Sequence, residues 1–184
     1  GTWNGGTWKD GTWCGGRWKD GAWRCGTWKK GIWEDGLWEN GLWENGTWEY
    51  GIWQSGEWEN GLWKNGSWNN GKWCNGTWKG GIWLRGYWKN GTWEGGEWVD
   101  GSWYNGTWCD GDWCGGIWNN GTWNDGIWWQ GEWCGGTWKD GKWYRGGIYS
   151  KKYKRSICSS VKPKVFCRYE TETNYLEELK SKVR

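Results

Sequence analysis

Residues 76–105 read GTWKG GIWLR GYWKN GTWEG GEWVD GSWYN, six pentads that each put Gly first and Trp third. The same period runs outward in both directions, from Gly1 to Arg145, through 29 consecutive pentads with Trp3 the first repeat indole and Trp143 the last. Only Trp129, among 30 tryptophans, stands outside that register. A unit this short can bury its apolar residue only against its neighbours, so the repeat decides the fold class.

In extended chain Gly and Trp share one face, while the second and fourth residues point to the other. The outer face carries Thr, Ile, Leu, Glu, Lys and Ser at the second position and mostly Lys, Glu, Asn and Cys at the fourth. It belongs in water, and the Gly/Trp face is the buried one. Most pentads close with Asn-Gly, Asp-Gly or Gly-Gly, which marks a corner or chain reversal. The unit therefore reads as a three-residue strand followed by a corner. An antiparallel meander of small hairpins and a parallel β-solenoid both accept it. The meander meets a parity problem. The second and fourth residues aim their backbone groups the same way, so they cannot serve turns on opposite sides.

A longer period separates the two. Written fifteen residues to a line, Thr77, Thr92, Thr107, Thr122 and Thr137 form one column. Leu84, Val99, Cys114, Trp129 and Tyr144 form another, an apolar stripe at the fourth position. Asn45, Asn60, Asn75, Asn90, Asn105 and Asn120 mark one corner, where stacked amides can form a ladder. A second corner favours Gly and Asp (Gly80, Gly95, Asp110, Asp125, Asp140), and the third is permissive (Cys25, Ser55, Arg85, Gln130, Arg145). Three corners imply three pentads per coil: an all-β parallel β-solenoid of about ten coils, roughly 45 Å long at ~4.8 Å per coil. Duplication in fifteen-residue blocks is the bland alternative. Charges one coil apart suggest the pairs Lys19–Glu34, Arg24–Glu39, Glu49–Lys64 and Lys79–Glu94. A triangular coil is small, three indoles nearly fill it, and Gly at the other inward position reads as making room for the rings. A coil of four pentads would be roomier. It would also make Cys114 and Cys134 neighbours, which serves as a test of the register.

The pattern resembles the pentapeptide-repeat family, with Gly for the small residue and Trp for the central apolar one; that resemblance implies a four-sided right-handed β-helix. It is similar to the Gly-x-Trp-x-x-Gly segment of MORN repeats, which are antiparallel. It also resembles Trp- and Gly-rich repeats of bacteriophage tail and fibre proteins over residues 1–145, which implies a structural role in a virion.

The repeat fails at Gly146-Gly147-Ile148, where Ile148 takes the Trp slot. Two units follow: the solenoid of residues 1–145, with net charge −3, and a C-terminal capping segment of residues 146–184, with net charge +6. Asn174 and Glu177 make a capping box that opens a short helix over about 174–183. The tail mixes aromatic and basic residues but matches no nucleic-acid-binding motif, so it reads as a cap over indoles and strand edges. The expectation is that it folds back along the stripe and shields Trp129 and Tyr144. A homo-oligomer contact through the stripe is the runner-up.

Enzymatic chemistry finds no foothold. The chain has no His, no phosphate-binding Gly-rich loop, no nucleophile elbow and no zinc spacing among its eight Cys. No catalytic residue, metal site or cofactor is expected, and the thiols read as free. Glu34, Glu39, Glu44, Glu49 and Glu59 read as a solvated face. The repeat begins in register at Gly1 without an initiating Met, which suggests a piece of a longer repeat protein. No signal peptide or membrane-length apolar run is evident, which favours a reducing compartment or a virion. What remains is a structural rod whose partners are other structural proteins or itself. The other reading is a binding module that stacks Tyr87, Tyr104, Trp129 and Tyr144 on sugar rings.

Overall fold

The structure is a computed structural model that describes residues 1–150 and 155–159. Each pentad contributes a two-residue strand, its second and third positions, as in Thr47–Trp48 and Leu62–Trp63. Strands fifteen residues apart pair parallel and in register, Thr47 with Leu62 and Trp48 with Trp63. Three sheets result, of 10, 10 and 11 strands. Sheet A starts at Thr2–Trp3, sheet B at Thr7–Trp8 and sheet C at Thr12–Trp13. The fold is a three-sided parallel β-solenoid with a fifteen-residue coil. The four-sided coil implied by the pentapeptide-repeat resemblance is not adopted.

The strand is one residue shorter than the sequence suggests, because the fourth position falls outside it, while Gly makes the corner as expected. Gly66 turns with φ of 120°, a conformation that L side chains rarely adopt. A Cβ there would also overlap the backbone carbonyl oxygen of Gly51 in the coil below. The glycine is required first by coil-to-coil backbone contact, and room for rings is secondary. At Gly71, an added Cβ would lie 3.3 Å from the indole nitrogen of Trp53. The Asn or Asp before the glycine satisfies the corner: Asn45 Oδ1 accepts the Gly46 N–H at 2.8 Å, and Asp35 Oδ1 accepts that of Gly36 at 2.7 Å. On either side of each strand, a later coil donates to an earlier one, as Leu62 N–H does to Gly46 O (2.9 Å) and Lys64 N–H to Trp48 O (2.8 Å).

The core is made of indoles. From Trp18 to Trp128 every repeat indole has no exposed surface. Each ring lies parallel to the one fifteen residues on and edge-on to the one five residues on. Trp48 and Trp63 have centroids 4.7 Å apart at 6°, while Trp48 and Trp53 are 6.0 Å apart at 73°. Both are favoured aromatic geometries, so three indoles fit a small triangle without a face-to-face sandwich. Trp103 Nε1 donates to Asn120 O at 3.1 Å and Trp118 Nε1 to Gly135 O at 3.0 Å. Most other ring N–H groups are buried without an acceptor. Such a group costs about 1–3 kcal/mol, against about 5 kcal/mol for burying ~200 Å² of indole, so burial wins.

Gly146–Ser150 continues sheet C: Glu132 pairs with Gly147 and Trp133 with Ile148, whose side chain is buried in the vacated indole slot. Arg155–Ser159 then pairs antiparallel with it, Ile157 opposite Ile148 and Ser159 opposite Gly146. The expected helix at 174–183 lies outside the described residues.

Candidate interaction surface

The stripe runs up sheet B. Leu84, Val99, Cys114, Trp129 and Tyr144 each follow a sheet B indole, and the backbone N–H of each donates to the Trp carbonyl one coil below. Leu84, Trp129 and Tyr144 are exposed, with Trp129 at 43% and Tyr144 at 50%; Val99 and Cys114 are half-buried. Trp129 and Tyr144 stack on each other, centroids 4.5 Å apart at 7°. Their separation is close to the coil spacing and their faces cover each other, so the pair turns ring edges outward and offers no broad outward-facing platform.

A second geometry governs this surface. A second-position residue meets the fourth-position residue seventeen further on, one coil up and across the strand. Trp129 Nε1 donates to Asp112 Oδ1 at 3.3 Å, and Cys114 Sγ lies 3.7 Å from Glu97 Oε1. Asp112 and Glu97 pair directly in sheet B, so two carboxylates stand beside the apolar stripe at its midpoint. The same diagonal brings Tyr87 onto Tyr104, centroids 5.7 Å apart at 16°, and Arg17 onto Glu34. Glu34 was expected to meet Lys19; Arg17 takes it instead. The pairs Arg24–Glu39 (3.8 Å), Lys64–Glu49 (2.9 Å) and Lys79–Glu94 (3.6 Å) form at the fifteen-residue spacing. Lys72 adds an unexpected one, 2.7 Å from Glu57. The hydrogen bond from Lys72, then that from Cys74, holds the Glu57 carboxyl below its usual range.

In the Asn column, Asn75 Nδ2 donates to Asn60 Oδ1 at 3.5 Å, a long bond. Asn45 spends its side-chain oxygen on Gly46. The corner hydrogen bond competes with the ladder for the same acceptor.

Cys14, Cys25, Cys74, Cys109, Cys114 and Cys134 are free thiols. Cys114 sits on sheet B and Cys134 on sheet C, as fifteen residues per coil require. Burial, then the Glu97 carboxylate, pushes the Cys114 thiol up to about 11; burial, then Glu132, pushes Cys134 to about 11 as well. Both stay protonated at neutral pH and are poor nucleophiles. Among the described residues no group of three or more His, Cys, Asp or Glu is placed to hold a metal ion. No helix among them is long and apolar enough to cross a membrane.

An open groove of about 580 Å³ lies at the corner between sheets B and C. Leu42, Glu57 and Lys72 line its wall, Asn40 and Asn70 the corner side, and Tyr87 one end. It exists because Asn40, Ser55 and Asn70 are short where Arg85 follows in the next coil.

No protein-family model matches this chain, and no curated protein matches it. Among solved structures, the polySia-specific acetyltransferase NeuO aligns at 5% identity over 97% of this chain and 98% of its own, with a TM-score of 0.18. A putative acetyltransferase from Desulfovibrio desulfuricans G20 aligns at 5% identity over 86% of this chain and 38% of its own, with a TM-score of 0.15. Likenesses this weak carry no argument about fold or activity. The class of protein is set by the coordinates: a tryptophan-cored β-solenoid.

Proposed function

We propose that this chain is a non-enzymatic structural protein, a stiff β-solenoid rod that serves as shaft or spacer in a larger assembly such as a phage fibre or another virion part. The observation that carries this reading is the layered core, in which every coil repeats the same edge-to-face triangle and stacks in register on the one below. Bending such a rod must slide or part close-packed rings along a whole column, and interiors packed this way resist deformation. Length is then a linear readout of coil number, which suits a spacer. Its partners in this reading are other structural proteins or further copies of itself. The test is to duplicate residues 61–75 and measure the distance between spin labels at the two ends. A sharp distance distribution that lengthens by about 4.8 Å supports the rod. A broad distribution, or no lengthening, sinks it.

A second reading rests on the groove closed by Tyr87. With Tyr104 on one ring face, the other face of Tyr87 remains for a sugar ring beside the hydrogen-bonding Glu57 and Lys72. Retention on a glycan array that Tyr87→Ala abolishes would favour this reading, and an array with no signal would remove it.

A further inference from the structure

We infer that the apolar stripe of sheet B is the docking surface for this chain's own C-terminal segment, residues 160–184. Ile82 and Leu84 are exposed in one coil, Trp129 and Tyr144 in two successive coils higher on the same face, with half-buried Val99 and Cys114 between them, and an apolar patch of this kind marks an interaction site. Three observations name the occupant.

The first is where the chain goes. Arg155–Ser159 runs antiparallel to the strand below and ends with Ser159 opposite Gly146. Gly146 is the corner that follows Tyr144 and Arg145 at the end of sheet B. Ser159 therefore ends beside the corner that follows the uppermost member of the stripe. The second is length. Five coils span about 19 Å from first to last, and the nine residues 161–169 reach ~30 Å when extended. The third is chemistry. Val161, Pro163, Val165, Cys167 and Tyr169 alternate with Lys162, Lys164, Phe166 and Arg168, so an extended strand presents an apolar edge and one on which three basic residues flank Phe166. At its midpoint the stripe has the complementary layout, where the Glu97 and Asp112 carboxylates stand beside the apolar column; the same flanking column carries Ile82 and Ile127 on either side of them and Lys142 in the last coil.

Ile148 is already committed to a core slot, and the backbone of Arg155–Ser159 to the edge of sheet C. The cover expected of the whole tail is thus assigned to the part beyond Ser159.

Hydroxyl-radical footprinting of the full chain, read by mass spectrometry at single residues, tests this. Tyr87 and Tyr104, exposed on sheet C, serve as internal references. In the wild type, Trp129 and Tyr144 are expected to label several-fold more slowly than their exposure in the bare rod implies. Full-length Val161→Asp/Val165→Asp, and separately Lys162→Glu/Lys164→Glu, should raise both rates several-fold while the references stay constant. Equal labelling of Trp129 and Tyr144 in wild type and variants overturns the proposal. So does protection that appears only as protein concentration and solution mass rise together, which would give the stripe to a second copy.

Discussion

At Gly66 the chain turns with φ of 120° and passes so close over Gly51 that no methyl group fits between the coils. The sequence places Gly every fifth residue but not the reason, since that depends on how closely two backbones approach. Gly66→Ala is therefore expected to cost more than the usual glycine substitution in a loop: strain at positive φ plus overpacking, about 2–4 kcal/mol by urea unfolding. A loss within a few tenths of a kcal/mol would mean that the coils part easily. The cysteines allow a second test. At Cys114 and Cys134 the folded thiol ionises near 11 rather than its ordinary 9.0, so only about a thousandth is thiolate at pH 8. Labelling of both by a maleimide should be slow and should quicken about tenfold per pH unit up to pH 10. Because ionisation is easier in the unfolded chain, the two thiols leave stability unchanged below about pH 9. They erode it as pH climbs from there towards 11. Melting points that stay level from pH 8 to 11 would remove that account.

The pentad is the element of this fold, and its sequence discloses one kind of neighbour but not another. Columns at a spacing of fifteen are visible because Thr77, Thr92 and Thr107, or the run from Asn45 to Asn120, repeat the same letter. Pairs at a spacing of seventeen are not, because they join different positions of the pentad, as Arg17 and Glu34 or Asp112 and Trp129 do. They arise where a diagonal neighbour lies within reach of a long side chain. Ring orientation is hidden too: Tyr87, Tyr104, Trp129 and Tyr144 are evident as outward aromatics, but only coordinates reveal that they cover one another in pairs. In the core each indole touches its neighbours in the coils above and below, so loss of one is felt in three layers. Trp78→Ala is expected to cost ~3–5 kcal/mol. Trp3→Ala, at the half-buried first coil, should cost well under half of that. Equal costs in urea titrations would show that the end coils are as well packed as the middle.

For the whole molecule, three unbroken columns of parallel rings run from Trp3, Trp8 and Trp13 to Trp138, Trp143 and Trp133, with centroids 4.7–5.3 Å apart. Cross-contacts of about 6.0 Å link the columns at every step. To absorbed light this arrangement is a single body. An excited indole has neighbours far closer than the range over which like chromophores exchange energy, and a transfer between columns passes the excitation to a ring whose plane is inclined by 73°, which reorients the in-plane transition dipole. Excitation at the middle of the absorption band should therefore lose its polarisation before emission without any motion of the rings. Excitation at the extreme red edge, which selects rings unable to pass their energy on, should retain it. Emission with the same high anisotropy at both wavelengths would mean that the rings are not in this register. Light taken up anywhere along the axis would be spread over the length of the solenoid, leaving no single tryptophan to bear the photochemical damage.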